Sequence, residues 1–481
     1  MDETEYGARR KMIILATCCL SLLIVSMDAT IVNVAIPAIR RDLNASVSGL
    51  QWVIDIYTLV LASLLLLSGA MADRIGRRRI FQIGLTVFAL GSLLCSLSTS
   101  VEMLIAARFV QAIGGSMLNP VAMSIITQVF TGRAERARAV GIWGAVVGIS
   151  MALGPMVGGV LIDLLDWKAV FWINLPICAA AVVLAAIFVP ESKSSTVRRL
   201  DPIGQALGIV FMAALVSGLI EGPNMGWGDP RSLAIFAVAI IGLVGFIRHE
   251  RRHASPFIDL RFFRSVPFAT ATVIGILAFA AYGGFLFLMS NYLQNVRGYS
   301  AIHTGVIYLP IAVGTLIFSP ISGRLVGKYG TRPSLIVSGL LLAVASVLLT
   351  TFTPTTPVWQ LIITFGLFGV GFGLVNAPIT TSAVSGMPRD RAGAASAVAS
   401  TSRQLGVSLG VAISGSIAGA AVTASDGSFT DAVQPLWWVT TGLALAITAL
   451  GIMSTTAWAK NTVEKTAFLF TPTEPKAPAH V

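Results

Sequence analysis

Apolar runs of about 20 residues recur along almost the whole chain, and they constrain the fold more than any other feature of the sequence. A helix needs about 20 mostly apolar residues to cross the hydrocarbon core of a bilayer. Of the 481 residues, 55% are hydrophobic and only 11% are charged, whereas soluble domains carry roughly 25% charged residues. No soluble fold of this length can bury so much apolar surface. The sequence therefore predicts an all-α membrane protein that crosses the bilayer many times.

The apolar runs number fourteen when they are measured against that length. They fall near residues 12–37, 49–69, 80–98, 103–129, 139–162, 169–189, 202–221, 232–247, 267–290, 302–322, 334–352, 358–384, 393–421 and 435–458. The first run follows a basic start and continues to Pro37, which is too long for the apolar core of a signal peptide. We therefore expect it to be retained as the first span.

The basic residues test this count, because short cytoplasmic loops carry an excess of Lys and Arg. With both termini cytoplasmic, only five of the 33 Lys and Arg residues fall in external loops. These five are Arg40, Arg41, Lys168, Arg231 and Arg297. The formal net charge of +11 is then explained by orientation in the cell membrane, so we do not expect nucleic acid as a partner.

Two parts of the chain resemble each other. The segment 69–78 reads GAMADRIGRR and the segment 323–332 reads GRLVGKYGTR, at an offset of 254. Gly114 and Asn119 match Gly371 and Asn376 at an offset of 257. Repeated halves are typical of transporters that place a site between two helical bundles. We expect one bundle at 1–190, an inserted helix pair at 191–265, a second bundle at 266–460 and a cytoplasmic tail at 461–481.

Other protein classes receive little support. No G-x-x-x-x-G-K-[ST] phosphate-binding loop occurs, so we expect no ATP-driven pump. The cysteines Cys18, Cys19, Cys95 and Cys178 lie in apolar runs and form no C-x-x-C pair, so we interpret them as packing residues. We expect no enzyme activity, no metal site and no cofactor.

Charged residues deep in a membrane are costly and are usually functional or paired. Asp28, Asp55 and Arg108 lie about 13, 9 and 8 Å below the external ends of their spans, at a rise of 1.5 Å per residue. One hypothesis is that a carboxylate takes up a proton while Arg108 tunes its pKa. The alternative is that Arg108 neutralises one carboxylate and only ties helices together. Arg403, in the thirteenth run, is the one deep charge of the second half.

Four stretches resemble the fourteen-helix drug:proton antiporter branch of the major facilitator superfamily. They are MDATIVNVAIP at 27–37, GAMADRIGRRR at 69–79, R-x-x-Q-A-I-G at 108–114 and GPMVGG at 154–159. Ala112 stands where the family usually has Gly. The resemblance covers nearly the whole chain and implies two six-helix bundles with two inserted helices. It also implies proton-coupled export of small amphipathic compounds by a protein without a cofactor.

The resemblance assigns roles to particular residues. Proton coupling is expected at Asp28, Asp55 and Arg108, and substrate contact at Asp28, Trp52, Asp55, Tyr57, Asn33 and Gln111. Asp55 lies between Trp52 and Tyr57 in a pattern that looks like quaternary-ammonium pumps, and aromatic rings attract organic cations. Trp and Tyr near a helix end are also common interface residues, so both interpretations stay open.

Two further motifs are expected to serve the conformational switch. The first comprises Gly69, Asp73, Arg74, Gly76 and Arg77, which would latch the two halves; the alternative is that these arginines only set orientation. The second comprises Gly154, Pro155, Gly158 and Gly159, which would kink and closely pack the fifth span; the alternative is a simple proline kink.

The sequence therefore predicts a multidrug antiporter of the cytoplasmic membrane. Its expected partners are small-molecule substrates and protons, and we expect it to work as a monomer. Export of a dedicated metabolite, a siderophore or a hydrophobic anion is an alternative. A membrane sensor or scaffold without transport is an alternative from another class.

Overall fold

The chain is helical throughout the part that the structure, a computed structural model, describes: residues 7–193, 201–253, 256, 258–385, 392–419 and 428–468. Within these residues there are sixteen α-helices and no β-strand. The first seven are α1 (Ala8–Leu43), α2 (Val47–Ile75), α3 (Arg77–Ser96), α4 (Val101–Val129), α5 (Arg133–Leu164), α6 (Ala169–Trp172) and α7 (Asn174–Phe188). The next two are α8 (Pro202–Met225) and α9 (Pro230–Arg252). The last seven are α10 (Val266–Asn291), α11 (Ala301–Tyr329), α12 (Thr331–Leu349), α13 (Val358–Val384), α14 (Ala392–Ala418), α15 (Ser428–Met453) and α16 (Ala457–Phe468).

Twelve helical segments of the described chain are long and apolar enough to cross a membrane. The predicted all-α membrane fold is thus confirmed, whereas the count of fourteen spans is not. The fifth and thirteenth predicted spans coincide with α5 and α14, which have 32 and 27 residues and are not among the twelve. Among the residues of α5 whose side chains the structure describes, Leu153–Leu164 forms an apolar stretch, and α14 carries Arg403 among many small polar residues. The end of the thirteenth predicted run, 420–421, lies outside the described residues.

The ends of α2 and α11 repeat each other. The Ser46 hydroxyl accepts from Gly49 N at 3.1 Å, and the Ser300 hydroxyl accepts from His303 N at 3.2 Å, which satisfies a free N–H at each helix start. Gly76 and Gly330 end the two helices with φ of 131° and 79°, a conformation that favours glycine. Each pair is separated by the 254 residues found in the sequence repeat.

The helix packing follows the same repeat. A Cβ on Gly114 of α4 would lie 2.3 Å from Phe88 N of α3. A Cβ on Gly371 of α13 would lie 3.1 Å from Leu342 N of α12. Both glycines therefore let their helix approach its predecessor closely. We call α1–α7 the first bundle and α10–α15 the second bundle; the predicted domain boundaries themselves stay a prediction.

The helices α8 and α9 pack against each other, and α8 also contacts both bundles. Its Met212, Val216 and Ile220 form an apolar cluster with Leu59 of α2 and Ala412 of α14. The Ser416 hydroxyl of α14 donates to the Leu219 carbonyl of α8. The inserted pair is therefore attached where α2 and α14 meet.

The last described helix, α16, was not expected, because 461–481 was predicted to be a tail. The Thr456 hydroxyl accepts from Ala459 N at 3.2 Å and caps its start. The Thr462 hydroxyl accepts from Val266 N at 2.9 Å, so α16 packs at the start of α10. Its low mean hydropathy and many polar residues gave no sign of a packed helix.

The two bundles meet closely at one end of the molecule. Asp163 of α5 accepts from Ile302 N of α11 at 2.9 Å, and Gln294 donates to the Val34 carbonyl of α1 at 2.8 Å. Toward the other end of α11, a Cβ on Gly323 or Gly327 would meet no described atom within 4 Å. This conformation is closed at the end where α5 finishes and α11 begins.

Candidate functional site

Asp28 of α1 lies in a hydrogen-bond network that is closed to water. Arg108 Nη1 of α4 donates to Asp28 Oδ2 in a short ion pair. Gln111 Nε2 donates to Asp28 Oδ1 at 2.9 Å, and Asn174 Nδ2 of α7 donates to the same oxygen at 3.4 Å. The side chains of Asp28 and Arg108 are 0% and 1% exposed. Every oxygen of this buried carboxylate therefore has a donor, as an ionised group in such a place requires.

The position of Arg108 follows from its place on α4. Gln111 is three residues later on the same helical face, and its Oε1 accepts from Arg108 Nη1 at 2.6 Å. Arg108 Nε donates to the Val53 carbonyl of α2 at 3.2 Å, and its guanidinium lies 4.1 Å from the Tyr57 ring centre. The arginine thus connects α1, α2 and α4, and the carboxylate it meets is Asp28 rather than Asp55.

Asp55 is equally buried but differently surrounded. It is 0% exposed, and neither of its carboxylate oxygens has a hydrogen-bond partner among the described residues. Its polar neighbour is Ser408 of α14. One turn earlier, Gln51 Nε2 donates to the carbonyls of Val411 and Ala412 at 3.2 and 2.9 Å. Asp55 therefore lies where the first bundle contacts the second.

The structure does not bring Trp52, Asp55 and Tyr57 together around one space. Tyr57 is fully buried and faces Arg108, whereas Asp55, two residues away along α2, faces α14. Two residues turn a helix by about 200°, which separates the two side chains. Trp52 packs with α8, so the three residues point toward three different neighbours.

Glu221 of α8, to which the sequence assigned no role, bonds to one of the predicted contact residues. Trp52 Nε1 donates to Glu221 Oε1 at 2.8 Å, and Asn224 Nδ2 donates to Oε2 at 3.3 Å. The available signal was depth in the membrane. Glu221 lies at the external end of the seventh predicted span, and Trp52 lies near the external end of the second. The inserted helix thereby contributes an acid that contacts Trp52 of α2.

Asn33, the remaining predicted contact residue, lies on α1 beyond Asp28. Its Nδ2 donates to the Ala29 carbonyl of its own helix at 3.2 Å. Its Oδ1 is buried and has no partner among the described residues. An acceptor in this state is available to a donor of a bound molecule.

The loop predicted to act as a latch contacts its own bundle in this conformation. Arg77 Nη2 pairs with Asp73 Oδ1 at 3.1 Å, and Arg77 Nη1 donates to Gln128 Oε1 of α4 at 2.8 Å. A Cβ on Gly76 would lie 2.5 Å from Glu191 Oε1. Gly69 faces α4, where Pro120 is its nearest neighbour, and Arg74 is exposed at the end of α2.

The glycines of the GPMVGG stretch allow α5 to pack between two helices. A Cβ on Gly154 would lie 2.0 Å from the Thr30 hydroxyl of α1, and one on Gly158 would lie 2.6 Å from Ile31. A Cβ on Gly159 would lie 2.3 Å from the Ala301 carbonyl of α11. Pro155 lies in the same contact, since its carbonyl would be 2.6 Å from a Cβ on Gly305. This stretch therefore forms one close contact between the two bundles, on the side where α5 meets α11.

Arg403 of α14 has no carboxylate partner in the described part of the chain. Its Nη2 donates to the Thr380 hydroxyl at 2.5 Å, and its guanidinium lies 5.9 Å from the Phe279 ring centre. Its Nε is buried without an acceptor. The second bundle thus holds a cation, where the first holds a neutralised pair and a separate acid.

Two helical bundles, a close contact between them and buried charges along that contact define a membrane transporter. The family model for the Major Facilitator Superfamily matches residues 18–411. The chain belongs to this superfamily and is a multi-pass transporter rather than an enzyme.

Relatives and solved structures agree with this assignment. The multidrug resistance protein Stp of Mycobacterium tuberculosis is 37% identical over 417 residues, which cover 87% of this chain and 78% of that protein. The tetracenomycin C resistance and export protein of Streptomyces glaucescens is 35% identical over 402 residues, which cover 83% and 74%. A bacterial homologue of the human lysosomal transporter Spinster has the same fold, with a TM-score of 0.62 at 17% identity over 97% of this chain and 98% of its own.

Proposed function

We propose that the protein is a proton-coupled antiporter that exports small amphipathic organic compounds, mainly cations, across the cytoplasmic membrane. The observation that carries this proposal is the pair of fully buried carboxylates in different surroundings. Asp28 is neutralised by Arg108, whereas Asp55 has no basic partner among the described residues and faces Ser408 of the second bundle. Groups in such contrasting environments bind protons differently, which is what coupling requires.

The relatives support the same class of activity. Stp bears the name of a multidrug resistance protein, and the Streptomyces glaucescens relative bears the name of an export protein. A carboxylate without a partner is costly to bury as an ion, so Asp55 either holds a proton or meets a cation. In the proposed cycle, protonation from outside releases the substrate and favours the inward-facing state, and deprotonation inside resets the carrier. The membrane potential supplies about 2.3 kcal/mol per charge per 100 mV.

The proposed arrangement in the membrane has fourteen spans with both termini cytoplasmic. In this arrangement α5 and α14 cross the membrane together with the twelve segments described above. The carrier works as a monomer and uses no cofactor. Its closed end, where Asp163 meets Ile302, faces outward, because the loops at that end carry few basic residues.

A second candidate, export of a hydrophobic anion, is favoured by Arg403. This guanidinium has a buried Nε that finds no acceptor in the described part of the chain and lies beside an aromatic ring. An anion would supply the missing acceptor.

The test is transport by purified protein in liposomes that carry an imposed pH gradient. Substrate movement is followed with a fluorescent organic cation and proton movement with a pH-sensitive dye inside the vesicle. We expect the cation to move against protons and the movement to stop when a protonophore collapses the gradient. Cation transport at the same rate with and without the pH gradient would contradict proton coupling. Transport of hydrophobic anions alone would favour the second candidate.

A further inference from the structure

The basic end of the inserted helix pair contains a second cluster of chemically reactive groups. Residues 249–253 read His-Glu-Arg-Arg-His, which is the H-E-x-x-H spacing. This spacing places two histidines one helical turn apart on one face, where they can hold one metal ion. The expectation of no metal site overlooked this run at the end of α9.

The fold supplies a third group from the start of α8. His249 Nε2 lies 2.9 Å from Asp201 Oδ1, and His253 Nδ1 lies 3.6 Å from Asp201 Oδ2. One ligand atom from each of the three residues lies within 4.8 Å of the other two. Ligands of a tetrahedral ion at 2.0–2.1 Å are separated by roughly 3.3 Å, and the observed separations bracket that value.

The two imidazole rings are already arranged side by side. Their centres are 5.1 Å apart and their planes differ by 24°. Asp201 Oδ1 also accepts from Gly204 N at 2.9 Å, which holds the carboxylate in place at the start of α8.

Glu250 provides an independent indication of a ligand. It is 3% exposed, and its Oε1 has no partner among the described residues. A Cβ on Gly204 would lie 2.2 Å from this oxygen and 2.6 Å from Asp201 Oδ2. The two oxygens thus flank one small space that only glycine leaves open. A second buried carboxylate oxygen beside Asp201 is unfavourable without a cation.

We propose that Asp201, His249 and His253, with Glu250 beside them, form a binding site for a zinc-like divalent ion. Imidazole and carboxylate ligands suit zinc and its neighbours, whereas magnesium and calcium prefer oxygen alone. The site is a binding site rather than a hydrolytic centre, because Glu250 Oε2 accepts from Ile258 N at 2.9 Å and its side chain is enclosed. A bound ion would join the beginning of α8 to the end of α9.

The experiment uses the full chain, purified in detergent with a tag that contains no histidine and stripped of metal with a chelator. Zinc is titrated against a chromophoric competitor, and bound metal is counted by mass spectrometry. We expect one zinc per chain, with affinity at least about 100-fold lower in His249→Ala and His253→Ala. Groups that only support ligands typically cost 10–100-fold. His303→Ala is the matched control, since His303 stacks on Tyr299 at the other end of the molecule.

Asp201→Asn separates loss of the ligand from loss of the fold. Asparagine also caps helices well, so the fold should persist, but the charge of the ligand is removed. Zinc should raise the unfolding temperature of the native chain and of His303→Ala, but not of Asp201→Asn or His249→Ala. Magnesium in excess should not displace zinc. The proposal is overturned if the native chain and His249→Ala bind zinc equally, or if zinc stabilises both to the same extent.

Discussion

Asp55 of α2 and Ser408 of α14 face each other across the contact between the two bundles. Both side chains are fully buried, and both lack a hydrogen-bond partner among the described residues. Buried polar groups without well-formed hydrogen bonds are costly, so we expect a proton on Asp55 or a bound cation to stabilise this contact. The relationship makes Asp55 the residue whose substitution says most about substrate charge.

Asp55→Asn is expected to impair export of permanently cationic compounds while sparing neutral ones. The substitution removes the charge that a cation would neutralise and keeps the size of the side chain. The measurement is efflux of one cationic and one neutral dye by the same vesicles. Glu221→Gln is the comparison, because it removes the acid bonded to Trp52 and keeps an acceptor for it. Equal loss for both dyes would assign Asp55 to the proton path instead.

Asp28→Asn is expected to abolish proton-coupled export. It also leaves Arg108 buried without its carboxylate, and breaking a buried ion pair typically costs about 3–5 kcal/mol. Membrane yield and thermal unfolding are therefore measured beside dye efflux. The double variant Asp28→Asn with Arg108→Gln should regain stability and stay inactive. Glu102→Gln, on the exposed first turn of α4, controls for the loss of an acid; a well-folded Asp28→Asn protein with native efflux would contradict the proposal.

Arg77→Ala and Asp73→Asn are expected to slow turnover more than they weaken substrate binding. Their ion pair lies at the end of α2, far along the helix from Asp55. Binding is measured by quenching of tryptophan fluorescence and turnover by efflux. Lys328→Ala, in the second copy of the loop, is the matched control and should change little. Weaker binding at native turnover would rule out a role in switching.

Gly159→Ala is expected to wedge α5 away from α11. The new Cβ would lie 2.3 Å from a backbone oxygen, and overpacking of this kind typically costs about 1–3 kcal/mol. The closed end should open, which cross-linking between cysteines introduced near Asp163 and Ile302 would report as a lower yield. Gly442→Ala, whose Cβ would meet nothing within 4 Å, should leave the yield unchanged. An unchanged yield in Gly159→Ala would show that this contact does not hold the closed end.

The orientation is tested by reporter fusions after Val481 and at Gly228, between α8 and α9. Opposite sides are expected, with the C-terminus cytoplasmic, because the basic residues cluster at one set of loops. The same side for both reporters would contradict fourteen spans.

The positions of the helices could be predicted from the sequence because they depend on features within each segment: the length of the apolar run, its composition and the glycines at its ends. Ser46, Gly76 and their counterparts 254 residues later are local signals of this kind, and they mark where α2 and α11 begin and end. The partner of Arg108 could not be predicted, because Asp28 and Asp55 lie at similar depth and only helix rotation separates them. The same limit applies to Trp52, Asp55 and Tyr57. Residues that are close in sequence point to different sides of a helix, so their nearness in the sequence did not show that they have different neighbours. Asp201 and His249 are 48 residues apart, and only the packing of α8 on α9 brings them together.

The contact of α8 with both α2 and α14 has a consequence for the route by which oily molecules reach the carrier. Compounds that dissolve in the membrane can enter sideways through a gap between helices, without passing through water. Met212, Val216 and Ile220 cover the line where α2 and α14 meet with apolar side chains. We therefore expect sideways entry from the lipid on this side of the carrier to require movement of α8.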